Sequence, residues 1–179
     1  MIETDRLILR PWCEGDKPGF AAVVNTPAMM THFGGVRPRA EIDPLIDQQM
    51  ASQAADGCSM WAVELREAGD LAGICGVRWQ LIYPGTPVFG ELEIGWRIGE
   101  HWWGQGIARE AAEASIAWAW ANTTAPRVAA WTSIGNTRSW GLMERLGMHR
   151  LPDLDFHHPK VAAGDPDGAM IVYAIDRLA

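Results

Sequence analysis

The sequence has few cysteines, no long apolar run and no excess of basic residues, and each absence excludes a class of protein. Its three cysteines, Cys13, Cys58 and Cys75, have spacings that fit neither a disulfide framework nor a zinc site. No stretch approaches the roughly twenty apolar residues that a membrane-spanning helix requires. The first residues lack the charged-then-apolar order of a signal peptide. We therefore expect a cytoplasmic protein with free thiols and no membrane partner.

The charge is acidic, with 15 Lys and Arg residues against 22 Asp and Glu residues and a net charge of -7. No basic stripe could neutralise a run of phosphates, so we do not expect nucleic acid as a partner. Contents of 48% hydrophobic and 21% charged residues are ordinary for a folded chain. A length of 179 residues is typical of one domain, and we predict a single domain over residues 1–179.

Strands and helices follow one another in the hydrophobic pattern of the first hundred residues. The run "DRLILRPW" predicts a strand with Leu7 and Leu9 on one face, and residues 14–56 predict two or three short helices separated by proline and glycine. Two apolar runs around "EAGD" predict a β-hairpin. The run "ELEIGWRI" predicts a further strand, on which Glu91 and Glu93 share a face.

The second half of the chain predicts two helices and two strands. Apolar residues at helical spacing predict a helix over residues 104–121. The strand "RVAAWTSI" follows, and then the helix "NTRSWGLMERLG", with Asn136 at its N-cap and Gly147 at its end. The segment from 151 to 168 is predicted as a loop, and "AMIVYAID" is predicted as the last strand.

Two glycines precede the first of these helices in "HWWGQGIAREA". A glycine turn that leads into a helix leaves backbone N–H groups unpaired at the positive end of the helix dipole, which suits a phosphate group. A P-loop is excluded because no lysine follows Gly106, and a dinucleotide fingerprint is disfavoured because Arg109 occupies the place of its third glycine. Two interpretations of the turn remain open. It could bind the pyrophosphate of an acyl-CoA, or it could be a plain turn that binds no ligand.

Four segments carry a resemblance to a known family: "TDRLILRPW", "EIGWRIGEHWWGQGIAREA", "NTRSWGLMERLGM" and "MIVYAI". In type and order they resemble the GNAT acetyltransferase superfamily, specifically its RimJ/RimL-type branch. The resemblance implies an α/β (α+β) fold with a mixed, mostly antiparallel central sheet flanked by helices. It also implies that two central strands splay apart.

The resemblance further implies a binding site for acetyl-CoA as cosubstrate. The strand that ends at Arg97 and Ile98 splays from "RVAAWTSI", pantetheine lies in the gap, and Asn136 contacts it. The pyrophosphate is held by the backbone amides of Trp103, Gly104, Gln105, Gly106, Ile107 and Ala108.

Acetyl transfer to an amine requires a base, because an ammonium with a pKa near ~10 must lose its proton before it attacks the thioester. The family's base lies on the strand "EIGW", which implies Glu93, with Glu91 in reserve. The alternative is that both carboxylates lie on the solvent face of an antiparallel strand and have no catalytic role. A backbone N–H near Ile98 is implied to polarise the thioester carbonyl.

Acetyl transfer also requires a proton or a hydrogen bond for the departing thiolate. Many GNAT enzymes use a tyrosine on the late helix, but Met143 occupies the matching position and cannot donate a proton. The RimJ/RimL-type branch has a serine at Ser139, which implies a hydrogen-bond donor to sulfur; capping of the helix is the alternative role.

We expect no metal site, although His157 and His158 lie close to Asp155. Neighbouring side chains in an extended loop diverge, and no third ligand has suitable spacing. The branch often carries a similar segment to "FHHP", which implies that these histidines border the acceptor groove. Cys75 alternates within a strand and is predicted to be a buried small hydrophobic residue.

The function that these expectations describe is N-acetyl transfer from acetyl-CoA to a primary amine, by direct transfer in a ternary complex. A protein N-terminus and a small amine are both open as the acceptor, and so are a monomer and a homodimer. One alternative is a non-catalytic module that binds acyl-CoA. A second is the same fold with another donor, such as succinyl-CoA.

Overall fold

A computed structural model of the chain describes residues 1–178. Contacts between residues divide it into two compact units. The first unit comprises Met1–Arg78 and Ile94–Trp118, and the second comprises Trp79–Glu93 and the chain from Ala119 onward. The single domain over residues 1–179 remains a prediction. No helix within residues 1–178 combines the length and apolarity needed to cross a membrane.

The first unit contains five strands in the spatial order β1-β2-β3-β4-β5. They are β1 (Ile2–Glu3), β2 (Leu7–Arg10), β3 (Met60–Leu65), β4 (Leu71–Trp79) and β5 (Leu92–Ile98), of which β4 ends and β5 begins in the second unit. The pairs β1–β2, β2–β3 and β3–β4 are antiparallel. The predicted hairpin is confirmed, since Gly69 in "EAGD" adopts a φ of 73° between β3 and β4.

Helices cover both faces of this part of the sheet. The helices α1 (Lys17–Val24) and α2 (Arg39–Asp56) pack on the face that carries Ala62 and Ile74. The opposite face carries Trp61, which contacts Trp118 of the helix α3 (Ile107–Asn122) edge-on, with ring centroids 5.0 Å apart. The buried cluster under α1 and α2 consists of Trp12, Phe20, Ala21, Val24, Ile42, Ile46, Met60, Ala62 and Ile74.

The second unit is built on the start of β5 and on four further strands. They are β6 (Arg127–Ser133), β7 (His149–Arg150), β8 (Phe156–His157) and β9 (Ala169–Asp176), with the helix α4 (Thr137–Arg145) against β6 and β9. The order is β5-β6-β9-β7, and β8 also pairs with β9. In this unit β5 and β6 pair in parallel, through Leu92 with Val128 and Glu93 with Ala129, while β9 pairs antiparallel with β6, β7 and β8. The prediction of a mixed, mostly antiparallel sheet is confirmed.

The structure differs from the sequence prediction in several details. The helix α3 begins at Ile107 rather than at residue 104, because Gly104 and Gly106 have φ values of 76° and 80°, which a helix does not accept. Asn136 occupies the N-cap position of α4, but its side chain makes no capping hydrogen bond. The predicted loop from 151 to 168 contains β8, which is too short to produce a periodic pattern.

Candidate functional site

The segment between β5 and α3 is a tight loop that is stabilised by hydrogen bonds to backbone carbonyl oxygens. Residues Glu100–Trp102 form a 3-10 turn, which the N–H of Trp103 closes by donating to the carbonyl oxygen of Glu100 at 3.2 Å. The Trp103 indole Nε1 donates to the carbonyl oxygen of Ile98 at 2.7 Å. Trp103 therefore anchors the loop to the end of β5.

The next five residues leave their amides available. No residue of the described chain accepts a hydrogen bond of normal geometry from the N–H groups of residues 104–108. A Cβ at Gly104 would meet no other atom within 4 Å, so the chain presents bare backbone there. The 16-residue helix α3 adds the positive end of its dipole. Unpaired amides at such a helix start fit a diphosphate group.

The end of β5 is held against β4 by close backbone contact. Gly99 donates its N–H to the carbonyl oxygen of Ala72 at 2.9 Å. A Cβ at Gly73, whose φ is 151°, would lie 2.1 Å from the carbonyl oxygen of Arg97. Only glycine at position 73 therefore permits this approach. The Arg97 guanidinium lies 3.9 Å from the ring centroid of Phe33.

Glu93, the predicted base, lies in the second unit and is not on a solvent face. Its exposed fraction is 8%, and that of Gln80 is 0%. The Gln80 Nε2 donates to Glu93 Oε2 at 3.4 Å, while Gln80 Oε1 accepts the N–H of Ile82 at 2.8 Å. Gln80 thus orients one carboxylate oxygen of Glu93 and fixes the loop that follows β4.

Glu91, the alternative candidate for the base, forms an ion pair with Arg127. Its two oxygens accept hydrogen bonds from Arg127 Nε at 2.9 Å and Arg127 Nη2 at 2.5 Å. This bidentate contact raises the pKa of Arg127 above its ordinary value, mainly through the hydrogen bonds from the guanidinium. The geometry therefore gives Glu91 a structural role in joining the start of β5 to β6.

The start of α4 carries the two other predicted site residues. Asn136 Nδ2 donates to Thr132 Oγ1 at 3.0 Å, and the Asn136 carbonyl oxygen accepts the N–H of Ser139 at 3.0 Å. The Ser139 hydroxyl is half-buried and has no hydrogen-bond partner within residues 1–178. Met143 is buried in the core, with 1% of its surface exposed. Ser139 thus presents an available hydroxyl donor on α4.

The two histidines hold the loop after β8. His157 Nε2 lies 3.0 Å and 3.2 Å from the carbonyl oxygens of Ala162 and Val161. The His158 ring meets Tyr83 edge-on at 5.0 Å, and burial together with the charges of Lys160 and His157 lowers its pKa. Nowhere in residues 1–178 do three or more His, Cys, Asp or Glu side chains form a group suited to a metal ion.

An open depression of about 470 Å³ lies beside His157 in the second unit. Its lining combines exposed apolar side chains with the Arg150–Asp155 ion pair. Ile134, for example, is 65% exposed. The lining residues are Ile134, Arg150, Asp155, Phe156, His157, Ala169, Met170 and Ile171.

The structure makes Cys75 unsuitable as a nucleophile. Its thiol is fully buried, and burial raises its pKa to about 12. A hydrogen bond with Ser115 Oγ, 3.8 Å from Sγ, offsets this effect only in part. The thiolate that covalent catalysis requires is therefore negligible at neutral pH.

Sequence patterns did not reveal two residues beside the predicted site. Gln80 contacts Glu93 from the end of β4, and Arg6 contacts Gln105 and Glu110 from the turn before β2. Arg6 and Glu110 are 104 residues apart, so no local spacing links them. Only a comparison of paired positions among relatives could have provided a signal.

Comparisons with known proteins agree with this arrangement. Residues 6–149 match the family model described as the acetyltransferase (GNAT) domain. A Bacillus subtilis protein called uncharacterized protein YkkB is 29% identical over 149 residues, which are 83% of this chain and 84% of that protein.

Solved structures with the same fold include an acetyltransferase from Agrobacterium tumefaciens, with 27% identity, a TM-score of 0.78, and coverage of 98% of this chain and 94% of the other. RimL, the ribosomal L7/L12 alpha-N-protein acetyltransferase in complex with coenzyme A, has 16% identity and a TM-score of 0.72, with 97% and 95% coverage. The residues matched by the family model include the loop between β5 and α3 and the start of α3. They also include β5, which carries Glu93, and its neighbours β4 and β6. The chain therefore belongs to the GNAT acetyltransferase family.

Proposed function

We propose that this protein is an acetyl-CoA-dependent N-acetyltransferase of the RimJ/RimL type, which acts in the cytoplasm on a primary amine by direct transfer in a ternary complex. The observation that carries the proposal is the set of unpaired N–H groups at residues 104–108, at the start of α3. Family membership supports acetyl transfer as the reaction.

Each part of the cosubstrate has a proposed partner in the chain. The amides of residues 104–108 hold the diphosphate, because they are unpaired and lie at a helix start. The Trp103 N–H is already donated to Glu100, so we assign Trp103 the task of anchoring the loop. Backbone groups of β5 up to Arg97 and Ile98 pair with pantetheine, and Asn136 contacts it.

Glu93 accepts the proton of the attacking amine, directly or through a water molecule. Its burial and its contact with Gln80 support this role, because a base must be held in one orientation. The bound cosubstrate supplies an activated acetyl group as a thioester. A backbone N–H near Ile98 polarises the carbonyl, and the Ser139 hydroxyl donates a hydrogen bond to the sulfur.

The acceptor is a protein N-terminus or a small amine. The net charge of -7 favours a cationic acceptor through long-range attraction. RimL, which shares the fold, is an alpha-N-protein acetyltransferase, and this supports testing peptide N-termini first. The chain acts as a monomer or a homodimer.

Thiol release from acetyl-CoA tests the proposal. The purified protein is incubated with acetyl-CoA and with peptides that have different N-terminal residues, in parallel with a set of small polyamines. We expect release of one thiol for each acetyl group that mass spectrometry detects on the acceptor amine. Blocked peptides of the same sequences serve as the control and should release no thiol.

The same assay distinguishes the alternatives. Acetyl-CoA binding without thiol release from any amine would favour a non-catalytic acyl-CoA-binding module. Faster transfer from succinyl-CoA than from acetyl-CoA would contradict the donor assignment. An acetyl group found on an acceptor hydroxyl would contradict N-acetylation.

A further inference from the structure

The turn between β1 and β2 contacts the loop that we propose for the diphosphate. Arg6 Nη1 donates to the carbonyl oxygen of Gln105 at 2.9 Å, and Arg6 Nε donates to Glu110 Oε2 at 2.6 Å. The backbone N–H of Arg6 and the hydroxyl of Thr4 donate to Glu110 Oε1 at 3.1 Å and 2.6 Å. We call these four residues, Thr4, Arg6, Gln105 and Glu110, the Arg6 brace.

The brace determines the direction of one amide. In a planar trans peptide the C=O and N–H groups point in opposite directions, and the chain has no cis peptide bond in residues 1–178. Arg6 holds the carbonyl oxygen of Gln105 on its own side of the loop. The N–H of Gly106 belongs to the same peptide group, so it must point away from Arg6.

Arg6 also fills the space behind Gly106. An ideal Cβ at Gly106 would lie 3.4 Å from Arg6 Nη2, so the guanidinium backs the loop on this side. Without that support, the positive φ of 80° at Gly106 leaves a flexible peptide, because glycine has many accessible conformations. The brace therefore limits the motion of the Gln105–Gly106 peptide.

Glu110 keeps the guanidinium in place. It lies in the first turn of α3, so the brace ties Arg6 to the helix whose N-terminus supplies the amides. Burial opposes ionisation of the Glu110 carboxyl, but the hydrogen bonds from Thr4 and Arg6 outweigh this effect and lower its pKa. An ionised Glu110 accepts the three donors of Thr4 and Arg6 and fixes the planar guanidinium.

We propose that Arg6 is a positioning residue for coenzyme A binding, which holds the Gly106 N–H toward the diphosphate without contacting the ligand. This inference rests on the proposed function. It assigns to the turn between β1 and β2 a part in ligand affinity that is separate from its place in the sheet. A substitution of Arg6 should therefore weaken the binding of every ligand that carries the diphosphate.

Isothermal titration with two ligands tests the inference. Wild type, Arg6→Ala and Arg6→Lys are titrated with coenzyme A and with 3′-dephospho-coenzyme A, which keeps the diphosphate. We expect both variants to lose about tenfold in affinity for both ligands, as for one well-placed charge-assisted hydrogen bond. Lysine retains the charge but cannot bridge Gln105 and Glu110 as a planar fork does, so it should not restore binding.

Arg39→Ala is the matched control. The Arg39 side chain is 49% exposed, close to the 50% of Arg6, and it pairs with Asp43 within α2 rather than with the loop or the brace. We expect wild-type affinity for both ligands. Glu110→Gln, which keeps the side-chain volume, provides a second variant if Arg6→Ala does not fold. We expect this variant to lose affinity several-fold for both ligands.

The outcomes separate this inference from the proposed function. Absence of coenzyme A binding by wild type would overturn both. Wild-type binding that Arg6→Ala, Arg6→Lys and Glu110→Gln all retain would overturn the inference alone. A loss confined to coenzyme A, with 3′-dephospho-coenzyme A unaffected, would mean that Arg6 contacts the 3′-phosphate directly, and this would also overturn the positioning role.

Discussion

Gln80, which is fully buried, donates a hydrogen bond from Nε2 to Oε2 of Glu93, with 3.4 Å between the two atoms. The same side chain accepts the N–H of Ile82. A buried amide with both ends engaged has a fixed orientation, because an unpaired polar group in the interior is unfavourable. Gln80 therefore links the proposed base to the loop after β4.

Substitution of Glu93 by Gln should lower kcat by about a hundredfold or more, because the variant lacks the base that the proposed mechanism requires. Its affinity for coenzyme A should not change. Steady-state kinetics with an acceptor identified by thiol release, together with titration calorimetry, measures both quantities. Glu91→Gln is the matched control. It loses the ion pair with Arg127 and should keep kcat while unfolding at a lower temperature. A normal rate in Glu93→Gln would refute the assignment.

Substitution of Gln80 by Leu should lower kcat by about tenfold and affect KM for acetyl-CoA less, because Glu93 loses an orienting donor. A purely structural role predicts a lower unfolding temperature with an unchanged kcat. That result would count against the link between Gln80 and catalysis.

Substitution of Gly73 by Ala should destabilise the protein by about 2–4 kcal/mol, through strain and a steric clash. The added Cβ would lie 2.1 Å from the carbonyl oxygen of Arg97, and the φ of 151° is unfavourable for alanine. Gly15→Ala is the control, because its Cβ would make only an ordinary contact with Cys13 Sγ at 3.8 Å. Urea unfolding measures both changes, and equal stability of the two variants would contradict this account of Gly73.

Acid should weaken the fold partly through Asp16. Hydrogen bonds from the Arg10 guanidinium lower the pKa of Asp16 from 3.8 to about 2. A lowered pKa in the folded state means that the contribution is complete above the unfolded value and disappears as the pH falls from about 5 to about 2. Solvent screening limits it to about 1 kcal/mol. Urea unfolding of wild type and Asp16→Asn at about pH 6 and about pH 2.5 should show a smaller difference at the lower pH. An unchanged difference would exclude this ion pair as a source of acid sensitivity.

The sequence predicted most of the regular elements because their signals are local. The alternation of Leu7 and Leu9 gave β2, and both residues are fully buried. Gly147, with a φ of 79°, follows α4 as its position suggested. The strands β7 and β8 were missed because two residues cannot establish a period of two.

The parts of the site that depend on distant contacts could not be predicted. Asn136 was placed at the N-cap from its position alone, yet its side chain bonds Thr132. The pattern of "ELEIGWRI" put Glu91 and Glu93 in equivalent positions. Their environments differ because Arg127 pairs with one and the buried Gln80 contacts the other. Such partners come from tertiary packing, which a single sequence does not record.

Titration of the protein with acetyl-CoA tests the central claim most directly, since the assignment of residues 104–108 to the diphosphate underlies every later step. Wild type should bind one acetyl-CoA per chain, and Gly106→Trp should give no detectable heat. Gly164→Trp, at another glycine of positive φ whose Cβ would meet no other atom within 4 Å, should bind as wild type does. No binding by wild type, or equal binding by Gly106→Trp, would contradict the account.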